Sequence, residues 1–211
     1  MTEIIRWAFF LCVVRPVLML ILGAQVRHRE RLPKSGPAII VANHNSHLDT
    51  LSIMAMYKLA ELKHLRPVAA MDYFLRSRPL AWFVSHILRV IPVHRGGMNR
   101  DLVQHCGEAL DAGDILIVFP EGSRGEPEQL SLFKKGVAHL AKARPGTPVV
   151  PLFMHGLGKA LPKDSFLLVP FNCDVVVGEA FYYDSDSDAF MAQLQARMEC
   201  LAAEIHRAPW D

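Results

Sequence analysis

Between Ala38 and Thr50 the chain passes from five apolar residues, Ala38-Ile39-Ile40-Val41-Ala42, into Asn43-His44-Asn45-Ser46-His47-Leu48-Asp49. An imidazole and a carboxylate in close sequence are the minimum parts of a general base and the acid that orients it. A carboxylate on one ring nitrogen fixes the tautomer and leaves the other nitrogen as proton acceptor. His44 is the expected base and Asp49 its partner. His47 competes for the role, but in the first turn of a following helix it has a less obvious carboxylate. The same residues also spell a helix start, with Ser46 as the cap and Asp49 completing a capping box. The two readings are compatible, because a helix entered tightly after a strand brings His44 back toward Asp49.

Two more apolar runs end in polar groups. Val90–Val93 leads into His94-Arg95, and Ile115–Phe119 leads into Pro120-Glu121-Gly122-Ser123-Arg124. A guanidinium presents a planar fork of donors that matches phosphate oxygens, so Arg95 and Arg124 are candidates for holding an anionic head group. Glu121 could orient Arg95, Arg124 or an acceptor hydroxyl. Gly122 lets backbone approach a ligand closely, whereas Pro120 and Pro151 read as strand terminators. Neither Ser46 nor Ser123 sits in a Gly-x-Ser-x-Gly elbow, which argues against a serine nucleophile. His44, His47 and Asp49 are also of types that bind zinc or manganese, so a metal-dependent phosphoesterase is the rival from another class. No second His/Asp/Glu cluster in the sequence supports it. A lipid-binding module without catalysis is a third reading.

These residues need elements to position them. Ala38–Ala42, Pro67–Ala70, Val90–Val93, Ile115–Phe119, Val149–Phe153 and Asp174–Val177 are rich in Val and Ile and predict strands. His47–Lys58, Leu80–Leu88, Arg100–Ala112 and Lys134–Ala143 carry helical spacing between them. Asp188–His206, with Phe190, Leu194, Met198, Leu201 and Ile205 on one face, predicts an amphipathic closing helix. The alternation implies an α/β fold with a mostly parallel, mixed sheet flanked by helices. In such sheets ligands bind beyond the carboxyl ends of the strands, where all three polar clusters fall.

At 211 residues, 51% hydrophobic and 21% charged, the chain is too apolar for disorder, and its net charge of +2 does not suggest nucleic acid. Basic residues crowd the start: Arg6, Arg15, Arg27, His28, Arg29, Arg31 and Lys34, against Glu3 and Glu30. Trp7–Val14 and Val17–Ala24 are apolar and separated by Arg15-Pro16. That interruption predicts two short helices lying in one leaflet, with a single tilted span as the alternative. Residues 1–31 are therefore expected as membrane-associated helices on an anionic, cytoplasmic membrane face, monotopic or peripheral, and residues 32–211 as the α/β domain. The four cysteines, Cys12, Cys106, Cys173 and Cys200, form no Cys-x-x-Cys pair and read as reduced thiols.

His44-x4-Asp49 followed by Phe119-Pro120-Glu121-Gly122-Ser123-Arg124 resembles the glycerolipid acyltransferase family that includes the 1-acylglycerol-3-phosphate acyltransferases. Val90-Ile91-Pro92-Val93-His94-Arg95 and Val149-Val150-Pro151-Leu152 are similar to two further blocks of that family, and the resemblance covers roughly Leu32 to Leu152. It implies a glycerol-phosphate-acyltransferase-like fold. It also implies acyl transfer from acyl-CoA or acyl-carrier protein to the free hydroxyl of a lysophospholipid, with no other cofactor and no acyl-enzyme. Lysophosphatidate is the default acceptor and another lysolipid the alternative. By the same resemblance, His44 and Asp49 are catalytic, and Arg95, Glu121, Gly122, Ser123 and Arg124 bind the acceptor. Arg89 stands where the second block often begins with glycine, and His94 where an acid is frequent; both are expected to add positive potential near the head group. An acyl channel could draw on Phe74, Trp82 and Phe83, which would serve equally as core.

Overall fold

The structure is a computed structural model that describes residues 1–71, 77–93, 99–125, 130–162, 167–184 and 186–205. Seven strands form one sheet: β1 (Gln25–Arg27), β2 (Ala38–Ala42), β3 (Leu65–Ala70), β4 (Ile91–Val93), β5 (Ile115–Val118), β6 (Val149–His155) and β7 (Asp174–Val177). Their order is β1-β7-β6-β2-β5-β3-β4. β2 pairs in parallel with both β5 and β6, with Val41 level with Val118 on one side and with Pro151 on the other. Among the pairings of these described strands only β6–β7 is antiparallel, so the sheet is mixed and mostly parallel. β2 is central and buried throughout, as a parallel strand covered on both faces should be.

Alternation along β2 and β5 divides the core. Ala38, Ile40, Ala42, Ile115 and Ile117 face one apolar layer with Ile53 and Met54 of α2 (Leu48–Ala55). Ile39, Val41, Leu116 and Val118 face the other, with Leu110 of α4 (Asn99–Asp111), Leu140 of α5 (Gly136–Ala143) and Phe190, Leu194, Met198 and Leu201 of α7 (Ser187–Ala203). The expected closing helix is therefore present, with four of its five apolar positions buried. A short helix, α6 (Leu157–Ala160), follows β6 behind Gly156, whose φ of 88° marks a left-handed turn.

The N-terminal stretch differs from expectation. Helix α1 (Thr2–Phe9) continues through π-type turns at Phe10–Val14 and Val17–Ile21, so Arg15-Pro16 does not split it. Proline has no N–H to donate, and its φ of −58° suits a helix; the wider hydrogen-bond register around it absorbs the lost donor. Phe10, Val14, Leu18 and Leu22, spaced by four, enter the same core layer as α2. Arg6, 2% exposed, donates to the carbonyls of Ile87 (2.7 Å) and His86 (2.6 Å), and Arg15 donates to that of Tyr57 (2.7 Å). Gln25–Arg27, inside the stretch expected to be helical, is a strand on β7. Its three residues are too few for strand periodicity to announce.

One expectation is corrected away from the site. Arg89 adopts φ 56°, the left-handed conformation for which glycine is suited, and its guanidinium donates to the Lys63 carbonyl just before β3. Its charge thus turns toward the amino ends of the strands and not toward a head group. Phe83, in α3 (Arg78–Phe83), packs edge-on against Phe9 at 5.0 Å, while Trp82 is exposed and stacks on His86. Phe74 lies outside the described residues.

Candidate active site

The turns after β2 and β5 emerge side by side because those strands are parallel neighbours. In the first turn one carboxylate oxygen gathers three donors. Asp49 Oδ2 accepts from His44 Nδ1 at 2.9 Å, from the Asn45 amide at 2.7 Å and from the Ser46 amide at 2.8 Å. A carboxylate holding two backbone N–H groups on that oxygen is an acceptor, so Nδ1 carries the ring proton and Nε2 the lone pair. Asp49 is 1% exposed, whereas the His44 side chain is 22% exposed and stacks on Phe119 with ring centres 4.2 Å apart. The acid is therefore sealed and the base reaches the surface.

Both readings of this motif hold in part. Asp49 sits in the first turn of α2 and reaches back to loop amides as a capping acid does, and the same oxygen orients His44. Ser46 supplies only a weak cap, its hydroxyl accepting from the Leu48 amide at 3.3 Å while donating to the Leu161 carbonyl at 3.0 Å. Buried and bonded on both counts, Ser46 is poorly placed to attack a substrate.

The second turn is fastened to the first. Glu121 Oε1 accepts from the His44 amide at 3.0 Å, and the Gly125 amide donates to the His44 carbonyl at 2.9 Å. His44 is thus held on both sides of its α-carbon by a segment about eighty positions away. Glu121 is buried, and burial pushes its carboxyl above the usual range against the pull of the His44 amide and the Ser131 hydroxyl. Its Oε1 faces the base's own backbone, a partner not foreseen from the sequence. Gly122 has a φ of 71°, the left-handed conformation that suits glycine, and a Cβ there would require the flexible end of the Lys134 side chain to move aside. Ser123 is exposed, and Arg124 Nη1 lies 2.7 Å from His47 Nε2. Arg95 and His94 lie outside the described residues.

The structure therefore brings together His44, Asp49, Glu121, Gly122, Ser123 and Arg124. Sequence reasoning missed the Arg124–His47 pair and the role of Asn43. The Asn43 side-chain amide exchanges two hydrogen bonds with Met154, Nδ2 to the carbonyl at 2.8 Å and the backbone N–H to Oδ1 at 2.7 Å. That pins the start of the turn after β2 to β6. A polar residue at the last step of an apolar strand was the available signal; the strand order that gives it a partner was not.

The site also bears on a metal. Arg124, a permanent cation, occupies the Nε2 side of His47, and His44 Nδ1 is committed to Asp49. His44, His47 and Asp49 are thus arranged around each other and an arginine in a way that disfavours a shared divalent cation.

Residues 23–155 match the profile of the Acyltransferase family, well over half of the chain. A chloroplastic 1-acyl-sn-glycerol-3-phosphate acyltransferase of Arabidopsis thaliana is 32% identical over 139 residues, covering 64% of this chain and 37% of the plant protein. The 1-acyl-sn-glycerol-3-phosphate acyltransferase of Pseudomonas aeruginosa is 26% identical over 183 residues, 85% of this chain and 67% of that protein. The crystal structure of the 1-acyl-sn-glycerophosphate acyltransferase from Thermotoga maritima superposes with a TM-score of 0.75 at 20% identity, covering 99% of this chain and 81% of the other, which establishes the shared fold. By the span of the family match, the chain belongs to the acyltransferase family.

Proposed function

We propose that the protein transfers a fatty acyl group from an acyl thioester, acyl-CoA or acyl-carrier protein, to the free hydroxyl of a lysophospholipid, with 1-acylglycerol-3-phosphate as acceptor and phosphatidic acid as product. The observation that carries this is the His44–Asp49 pair: a partly exposed imidazole with its proton fixed on Nδ1 by a sealed carboxylate. His44 Nε2 takes the proton of the acceptor hydroxyl as its oxygen bonds to the thioester carbonyl carbon, a contribution of about 10²–10⁴ in rate. Asp49 stabilises the imidazolium so formed. Collapse of the tetrahedral intermediate breaks the C–S bond, and the imidazolium returns the proton to the departing thiolate. One ester forms, one thioester is consumed, and no acyl-enzyme intervenes. Arg124, on the same rim, is the anchor for the acceptor phosphate.

The N-terminal helix supports membrane association along one leaflet. Its 20 residues are long and apolar enough to cross a bilayer by length and composition. Yet Phe10, Val14, Leu18 and Leu22 are core residues, and Arg6 and Arg15 are tied to domain carbonyls, so spanning would tear out packed apolar surface and buried hydrogen bonds. Ile4, Trp7, Leu11, Met19 and Leu20 point outward and fit insertion at an interface on the cytoplasmic side, where the acceptor resides.

A thiol-release assay on vesicles, run with a panel of lysolipid acceptors, with both donor types and with chelator, tests these statements together. The expected result is chelator-insensitive thiol release that depends on a phosphate-bearing acceptor. Release abolished by chelator, or phosphate release without thiol release, contradicts it.

A further inference from the structure

His47 is unexplained by the proposed chemistry, although it stands three residues from the base. Its Nε2 lies 2.7 Å from Arg124 Nη1. A guanidinium only donates, so this nitrogen accepts and the ring is neutral with its proton on Nδ1. Both partners hang from one anchored backbone. His47 directly precedes α2, behind the Asn45 and Ser46 amides fixed by Asp49, and Arg124 precedes Gly125, whose amide is bonded to the His44 carbonyl. Arg124 is thus aimed by a neighbour that can itself gain a charge.

We infer that His47 is a positioning residue for acceptor recognition, holding the Arg124 guanidinium toward the anionic head group while neutral and releasing it when protonated. This rests on Arg124 being the acceptor anchor. The charged groups acting on His47 are Arg124 and His44, which oppose an imidazolium, and Asp49, which favours one. Partial desolvation of this otherwise exposed side chain, together with the first two, holds the ring below its ordinary value, so the clasp is intact at neutral pH and opens in acid. The acceptor phosphate itself gains a proton near pH ~6. A residue that accepts a hydrogen bond but cannot titrate is therefore the necessary control.

The test measures acceptor KM, donor KM and kcat on vesicles from pH 5 to 8 for the wild type, His47→Leu, His47→Gln and Arg124→Ala. At pH 7.5, His47→Leu should raise the acceptor KM about 3- to 10-fold, the range of one modest hydrogen bond, with donor KM and kcat little changed. His47→Gln, whose amide oxygen can accept from Arg124, should recover most of that loss. Below pH 6 the wild-type acceptor KM should climb more steeply than that of His47→Gln, where only the phosphate titrates. By NMR, the His47 ring should titrate at higher pH in Arg124→Ala than in wild type. If Arg124→Ala raises the acceptor KM while His47→Leu leaves it unmoved, this inference is overturned and the anchor stands. If Arg124→Ala leaves the acceptor KM unchanged, the anchor falls and the inference with it.

Discussion

The turns after β2 and β5 sit side by side on neighbouring strands and are built in opposite ways. The first is closed: within six residues Asp49 binds a ring nitrogen and two amides, and the carboxylate is sealed from water. The second is open: Gly122 and Ser123 are exposed, and it is tied to the first turn at the His44 amide, the His44 carbonyl and the His47 ring, and to the segment after it by the Lys134 amide on the Pro120 carbonyl. The His44 ring is thus oriented by its own segment, while the His44 backbone and the second turn hold each other.

Substitutions in each turn can break or sharpen that contrast. The largest effect is expected from Asp49→Asn, which keeps an accepting oxygen but removes the charge that stabilises an imidazolium. Its kcat should fall about 10²-fold or more, while circular dichroism stays native and stability drops by about 1.5–3 kcal/mol for bonds that were charge-assisted. A nearly normal kcat would mean that the first turn does not set the chemistry. Next comes Arg124→Ala, expected to raise the acceptor KM about 10-fold with little change in donor KM. An effect confined to the donor would move Arg124 out of the acceptor pocket.

Glu121 lies between the two turns. Glu121→Ala leaves the part-buried His44 amide without an acceptor and should cost about 1–3 kcal/mol of stability together with much of kcat; Glu121→Gln, which still offers an oxygen, should retain both within several-fold. Equal loss in the two variants would assign the carboxylate's charge to substrate and not to His44. There is also a pH signature. The folded carboxyl holds its proton more tightly than the unfolded chain, so its contribution is fully present below the unfolded value and is lost as pH rises through the folded one. Glu121→Gln should therefore gain stability relative to wild type as pH rises above the ordinary carboxyl value of about 4.3 in paired unfolding curves. The smallest effect is expected from Ser46→Ala, which loses about 1 kcal/mol of stability and leaves kcat within a few-fold. Loss of turnover comparable to Asp49→Asn would revive a covalent route.

The same contrast explains what was legible in the sequence. His44 and Asp49 could be paired on paper because their contact spans five residues and every bond that shapes it is local. The strands β2, β5 and β6 were legible as apolar runs, and α7 as a stripe of period near 3.6. Glu121 could be picked out but not understood, since its partner lies 77 residues away and becomes a neighbour only through the β2–β5 pairing. The partner of His47 was hidden for the same reason, with Arg124 also 77 residues distant. Pro16 misled in the other direction: a local helix-breaking rule was overridden by packing of Phe10, Val14, Leu18 and Leu22 into the core and by two arginines bonded to the domain.

The central claim is that the His44 imidazole, steered by Asp49, removes the proton from the acceptor hydroxyl. It is tested most directly by acceptor-dependent thiol release from His44→Ala on vesicles, at saturating donor and acceptor and with vesicle binding verified by sedimentation. The predicted result is a rate about 10²–10⁴ below wild type in a protein that binds vesicles and unfolds at an unchanged temperature. A rate within a few-fold of wild type in that same folded, membrane-bound variant contradicts it.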